Sequence, residues 1–327
     1  MNSTSWSVLR NCLLVTMVLS ALSIRSISAA PVSMAVMGDS INLLTPTYDT
    51  SWVVQLQNAG AITQHDVARD GATSNGVVSG QLPTIVSLAQ QGQITDSVLV
   101  VGANDFGPFG PNAQTVFLGG NAQPVIDTFV SNVEKVITSI AAANPGVHQV
   151  IANIPDITAT PLAPVLALAY GATPAEIQAG RNAIITANNE IQQFALAHGV
   201  PVIDLFKAAD VLVPLYPWTF GGHTFSTMFA SNQFDILTQP EGLISNMIAT
   251  AFNEVFGQNL PIFSDQQIVT NSGFTPSGPT TFYNVSQFVI TPEPATWILA
   301  ALGGLFALFW GVHPGALAAL STQSNAI

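Results

Sequence analysis

Between Val32 and Phe256, strand-length apolar runs alternate with segments of helical spacing, and this alternation leaves few folds open to the chain. Val32 to Gly38 and Asp96 to Val101 are short, nearly continuous apolar runs, the pattern of strands buried on both faces. Ala61 to Ala68, Gln149 to Asn153 and Val200 to Leu205 read as further strands. Helical spacing runs over Thr50 to Asn58, over Val77 to Gln90 with a break near Pro83, and over Val125 to Ala143. It returns over Pro174 to His198, with proline in the first turn, and over Glu241 to Phe256. The alternation predicts an α/β fold with a parallel sheet covered by helices on both faces. In such a sheet the loops after the strands converge on one edge, where open α/β folds keep their sites.

Three of those loops carry polar groups. Ser40 follows the first strand in Gly38-Asp39-Ser40, Gly71 follows the second, and Asn104 follows the third in Gly102-Ala103-Asn104-Asp105. Each alone reads equally well as a turn. Together they offer a serine nucleophile with a backbone N–H and a side-chain amide for the oxyanion it creates. Phe106 to Pro124, rich in Gly, Pro, Asn and Gln, reads as a long loop beside the third strand end and a candidate lid. Gln258 to Thr291 reads as a linker or small appendage.

Composition excludes several classes. Only 7% of the residues are charged and the net charge is -12. Past the first 30 residues the cations are Arg69, Lys135, Arg181 and Lys207, too few and too scattered for a phosphate-binding stripe, so nucleic acid is excluded as a partner. The single cysteine, Cys12, lies in the N-terminal segment, so neither disulfides nor a thiol nucleophile enter. The histidines and carboxylates do not show metal-ligand spacing, and no metal or cofactor is expected.

The three loops resemble the blocks of the SGNH or GDSL hydrolases. Gly38-Asp39-Ser40 is similar to the first block. The stretch from Ala68 to Thr73 is similar to the second, Asn-x-Ala-x-x-Gly, with Asp66 where the family carries Asn. Gly102-Ala103-Asn104-Asp105 is similar to the third. Asn153-Ile154-Pro155 and the passage ending at Asp204 add to the resemblance, which covers about residues 32 to 256. It implies a three-layer α/β/α sandwich with a flavodoxin-like parallel sheet. It also implies hydrolysis of acyl or acetyl esters of a glycan or lipid, with Ser40 as nucleophile. The oxyanion hole would be the backbone N–H groups of Ser40 and Gly71 with the Asn104 side chain. The family closes with Asp-x-x-His-Pro before the last helix, whereas this chain reads Asp235-Ile236-Leu237-Thr238-Gln239-Pro240. Anchored on the proline, Gln239 stands at the histidine position and Asp235 one residue too far upstream. Glutamine is no general base at neutral pH. His223, flanked by glycines in Phe220-Gly221-Gly222-His223, is one substitute, and Asp235 acting directly on Ser40 is another. The alternative to an esterase is a catalytically impaired relative that binds acylated glycan at the cell surface.

Both termini read as sorting segments. Residues 1–30 have the apolar core and the small residues Ser28-Ala29-Ala30 of a signal peptide. Pro292-Glu293-Pro294 precedes an uncharged apolar stretch from Trp297 to Val312, read as a C-terminal apolar helix in the membrane. This arrangement resembles the PEP-CTERM sorting signal, without its arginine cluster. It implies export, transient anchoring at the cell envelope, and an exosortase-type processing enzyme as partner.

Overall fold

The computed structural model describes residues 31–43, 50–107, 110–230 and 235–293. The expected signal segment and the apolar tail from 294 onward lie outside the described residues, and no described helix is long and apolar enough to cross a membrane.

Strand β1 (Val32–Gly38) leads into helix α1 (Trp52–Asn58), and β2 (Ile62–Asp66) into a helical stretch that widens to π geometry over Val77–Gln81 and continues as α2 (Leu82–Gln90). The break expected near Pro83 is this widening. Pro83, lacking an N–H, sits within the first two positions of α2, directly after this widening. Next come β3 (Asp96–Val100), α3 (Gln123–Ala143), β4 (His148–Ala152), α4 (Pro174–Ala197), β5 (Val202–Ile203) and α5 (Leu205–Leu212). A small antiparallel hairpin of β6 (Trp218–Phe220) and β7 (His223–Phe225) precedes α6 (Thr238–Phe256), α7 (Asp265–Asn271) and β8 (Val289–Ile290).

The main sheet runs in the order β2-β1-β3-β4-β5-β8. All its pairings are parallel except that of β8 with β5, so the parallel sheet expected from the alternation gains one antiparallel edge. Alternate side chains of each central strand enter separate cores. Ala35, Met37, Leu99 and Ile151 meet α3 and α4 on one face. Met34, Val36, Val98 and Val150 meet α1 and α6 on the other. Burial on both faces explains why these strands read as unbroken apolar runs.

Two segments differ in character from their composition. The stretch from Gln258 to Thr291, read as a linker or appendage, lies against the body. It buries Phe263, Ile268, Val269 and Phe288 and supplies β8. Phe288 O accepts the Asp204 N–H at 2.8 Å, so this segment satisfies the end of β5. In the expected lid, Val116 and Phe117 are core residues of a short helix, Ala113–Phe117. Phe117 packs so closely on Gly180 of α4 that a Cβ there would come within 2.3 Å of the ring. That half of the loop is anchored by its apolar side chains, which outweigh its polar composition.

Candidate active site

The corner that carries Ser40 is built from backbone constraints. Gly38 ends β1 with φ +133°, and a Cβ there would lie 1.7 Å from Val100 O, so only glycine fits. Where β1 leaves the sheet, the buried Gln81 amide closes the exposed peptide. Its Oε1 accepts the Gly38 N–H at 2.8 Å and its Nε2 donates to Gly38 O at 2.9 Å. Asn188 brackets Ile154 after β4 in the same way, at 2.9 and 2.8 Å. Asn42 Nδ2 donates to Val100 O at 3.1 Å and its Oδ1 accepts from Trp52 Nε1 at 3.1 Å, tying the turn after Ser40 to α1. Ser40, half-buried, stands at the tip of this framework.

The second and third loops are tied to the same edge. Arg69 N donates to Gly38 O at 3.1 Å, and the following turn brings Gly71 to φ +68°. Asp66, in the family's Asn position, accepts the Ala68 N–H at 2.8 Å and so makes the turn an Asn would make. Gly102 has φ +124°, and a Cβ there would come within 2.6 Å of Ile154. Asn104 follows it, buried, with Nδ2 donating to Ala72 O at 3.2 Å. Through that amide the third loop holds the second. Asp105 accepts from Ser74 N at 2.8 Å and Ser74 Oγ at 2.7 Å, a further clasp between the two loops.

The candidates for the base separate clearly. Ser40 Oγ donates to Asp235 Oδ1 at 3.0 Å, across 195 positions of sequence. Gln239 is buried in the first turn of α6 and its Nε2 donates to Thr227 O at 3.0 Å. His223, in the hairpin, stacks on Phe274 at 4.1 Å between ring centroids and meets Phe225 edge-on at 4.7 Å. Asp235 lines both cavities that Ser40 lines, whereas Gln239 and His223 line neither.

The site is rich in buried carboxyl groups. Burial pushes Asp39 up to about 8, reinforced by Asp105 and Asp235 and opposed by the Ile41 N–H. Burial likewise pushes Asp105 up to about 6, against its two bonds from Ser74. Glu241 is held well above the usual carboxylate range, again chiefly by burial. Its Oε2 accepts the Trp52 N–H at 3.1 Å, satisfying the start of α1. With its ionisation pushed to about 8, Asp39 is chiefly protonated at pH 7, so the corner does not carry the full charge its composition suggests. The sequence marked neither Asp39 nor Glu241 as part of the site. Glu241 could have been found only by knowing that α6 crosses the start of α1. Among the described residues no group of three His, Cys, Asp or Glu side chains could hold a metal.

Beside Ser40 opens a cavity of about 90 Å³. Its walls are the apolar faces of α5 and α6, closed by Ile157, Met228 and Phe229. No sequence pattern announced it, because it lies between two helices whose own spacing is ordinary.

A model of the GDSL-like lipase/acylhydrolase family matches residues 36–223, more than half of the chain. The chain belongs to this family. The matched region carries Ser40, Gly71 and Asn104 and stops before Asp235 and Gln239, so the departure from the family lies beyond it. No curated protein matches the chain. Among solved structures it is similar to phospholipase A1 from Streptomyces albidoflavus NA297, with 18% identity, 64% of this chain and 93% of that one covered, and a TM-score of 0.43. An extracellular lipase from Streptomyces rimosus gives 16% identity, coverage of 69% and 98%, and a TM-score of 0.43. An acetylxylan esterase from Geobacillus stearothermophilus, in a catalytic mutant, gives 12%, 70% and 95%, and 0.45. At these values the likeness says nothing of substrate. Membership of the family makes ester hydrolysis the activity to be explained.

Proposed function

We propose that the chain hydrolyses carboxylic esters through an acyl-enzyme on Ser40, with Asp235 in direct contact as the proton acceptor. The observation that carries this reading is the 3.0 Å hydrogen bond from Ser40 Oγ to Asp235 Oδ1. Ser40 Oγ bonds to the ester carbonyl carbon and its proton passes to Asp235. The carbonyl oxygen becomes the oxyanion, met by the backbone N–H groups of Ser40 and Gly71 and by Asn104 Nδ2. The carbonyl re-forms, the C–O bond to the alcohol breaks, and Asp235 returns its proton to the departing alkoxide. Water then attacks the acyl-enzyme, giving its proton to Asp235, and Ser40 leaves reprotonated with release of the acid.

A carboxylate is a weaker base than an imidazole. Loss of a triad member costs about 10⁴ to 10⁶ in turnover, while about 10³ to 10⁴ over water survives through the oxyanion hole and binding. Slow turnover follows. The second reading, an impaired relative that binds acylated glycan, is favoured by the absence of any histidine among the described residues that line the two cavities beside Ser40. Export, anchoring by the C-terminal segment and an exosortase-type partner belong to the proposal on the strength of the terminal sequences alone.

Hydrolysis of 4-nitrophenyl butyrate by the full-length protein tests the reading. Ser40→Ala is expected to lose the acyl-enzyme route and fall at least about a hundred-fold, to what the oxyanion hole and binding alone supply, and Asp235→Asn to lose about a hundred-fold or more, both folding as the parent does. Parental activity in Asp235→Asn would remove Asp235 from the reaction. No activity in the parent would favour the binding reading.

A further inference from the structure

The cavity beside Ser40 is larger and more apolar than ester cleavage alone requires. We propose that it takes the straight hydrocarbon chain of the acyl group, so that the enzyme prefers fatty acyl over acetyl esters; this rests on Ser40 as the nucleophile.

Ser40 and Asp235 form one part of the lining, so an acyl group bonded to Ser40 has the cavity directly before it. The opposite walls are the face of α5 with Leu205, Ala208 and Leu212 and the face of α6 with Leu243, Ile244 and Met247. The two other polar lining residues are already engaged. Asp156 accepts from Arg181 Nε at 2.6 Å and from Thr158 N at 2.9 Å, and Thr160 Oγ1 donates to Ile157 O at 2.7 Å. A sugar in this space would bury hydroxyls against apolar walls, which is unfavourable for each unpaired group. An alkyl chain leaves nothing unpaired. An acetyl group reaches only the region next to Ser40 and leaves the void. Width is set on the α5 wall by Ala208 and by half-buried Ala209, where larger side chains would occupy the same space.

Chain-length selectivity is measured on the full-length protein with 4-nitrophenyl esters from acetate to decanoate. The expected kcat/KM rises roughly four-fold per methylene until the cavity is full and then levels off. Ala209→Leu is expected to lower the octanoate-to-acetate ratio at least ten-fold. Met247→Ala, which makes room instead of removing it, is expected to move the optimum to longer chains should the first variant fail to fold. An acetate optimum in the parent, or an unmoved ratio in the folded variants, overturns the proposal. Calorimetric titration of decanoate into Ser40→Ala separates the pocket from the chemistry. Binding that weakens in the double variant with Ala209→Leu supports the pocket even where no ester is cleaved. No binding of decanoate overturns it even where short esters are.

Discussion

The two halves of the site are held by different means. The loops after β1, β2 and β3 are fixed by the sheet itself. Gly38 and Gly102 sit where a Cβ would strike Val100 O and Ile154, and Gln81 completes the strand end. In the half that carries Asp235, from Phe225 to α6, Ala230 N donates to Asp235 O at 2.8 Å and Leu237 N to Met228 O at 2.9 Å. Asp235 directly precedes Ile236, which pairs with Phe229, and Gln239 Nε2 donates to Thr227 O. In the first half any Cβ at Gly38 or Gly102 meets a hard contact, whereas the second is held by backbone pairing and side-chain hydrogen bonds. Retention of Gly38, Gly102 and their turns therefore testifies to the fold.

The largest expected effect breaks the first half. Gly38→Ala requires both a positive φ and a Cβ 1.7 Å from Val100 O, so a loss of more than about 4 kcal/mol, or no folded protein, is expected in thermal or denaturant unfolding. A mild loss would mean that the corner is not as rigid as drawn.

Legibility divides along the same line. β1 and β3 were readable because burial on both faces leaves a continuous apolar run, and the Gly-Asp-Ser corner because its glycine is sterically required. β5 is only two residues long, and its antiparallel partner β8 comes 86 positions later in a stretch whose composition looked like a linker. Its pairing is decided by Phe288 and Val285 packing into the core, which no local pattern displays. The contact between Asp235 and Ser40 was readable only as one option among three. Spacing from Pro240 pointed to Gln239, and the direction of each side chain depends on the path between β7 and α6.

A middle-sized effect concerns the buried acids. Asp39 ionises near 8 in the folded protein and far lower in the unfolded chain. The folded state therefore binds more protons between those values, so its contribution is complete in acid and is lost as pH rises toward 8. Asp105, at about 6, acts in the same direction. Stability is expected to fall by about 2 to 4 kcal/mol from pH 5 to pH 8, with Asp39→Asn flattening the dependence, as read by chemical denaturation. A rise over that range would contradict the burial of Asp39.

The smallest effect sharpens the second half. Gln239→Ala is expected to cost about 1 kcal/mol, through the hydrogen bond to the Thr227 carbonyl that it removes, and to leave ester turnover near the parental value. A collapse of turnover with stability intact would return Gln239 to the reaction.

The most direct test of the account treats the full-length protein with a fluorophosphonate probe and locates the adduct by mass spectrometry. A single adduct at Ser40, absent in Ser40→Ala and formed at least ten-fold more slowly in Asp235→Asn, is the expected result. An unlabelled Ser40, or labelling indifferent to Asp235→Asn, would contradict the claim that the 3.0 Å contact with Asp235 activates this serine.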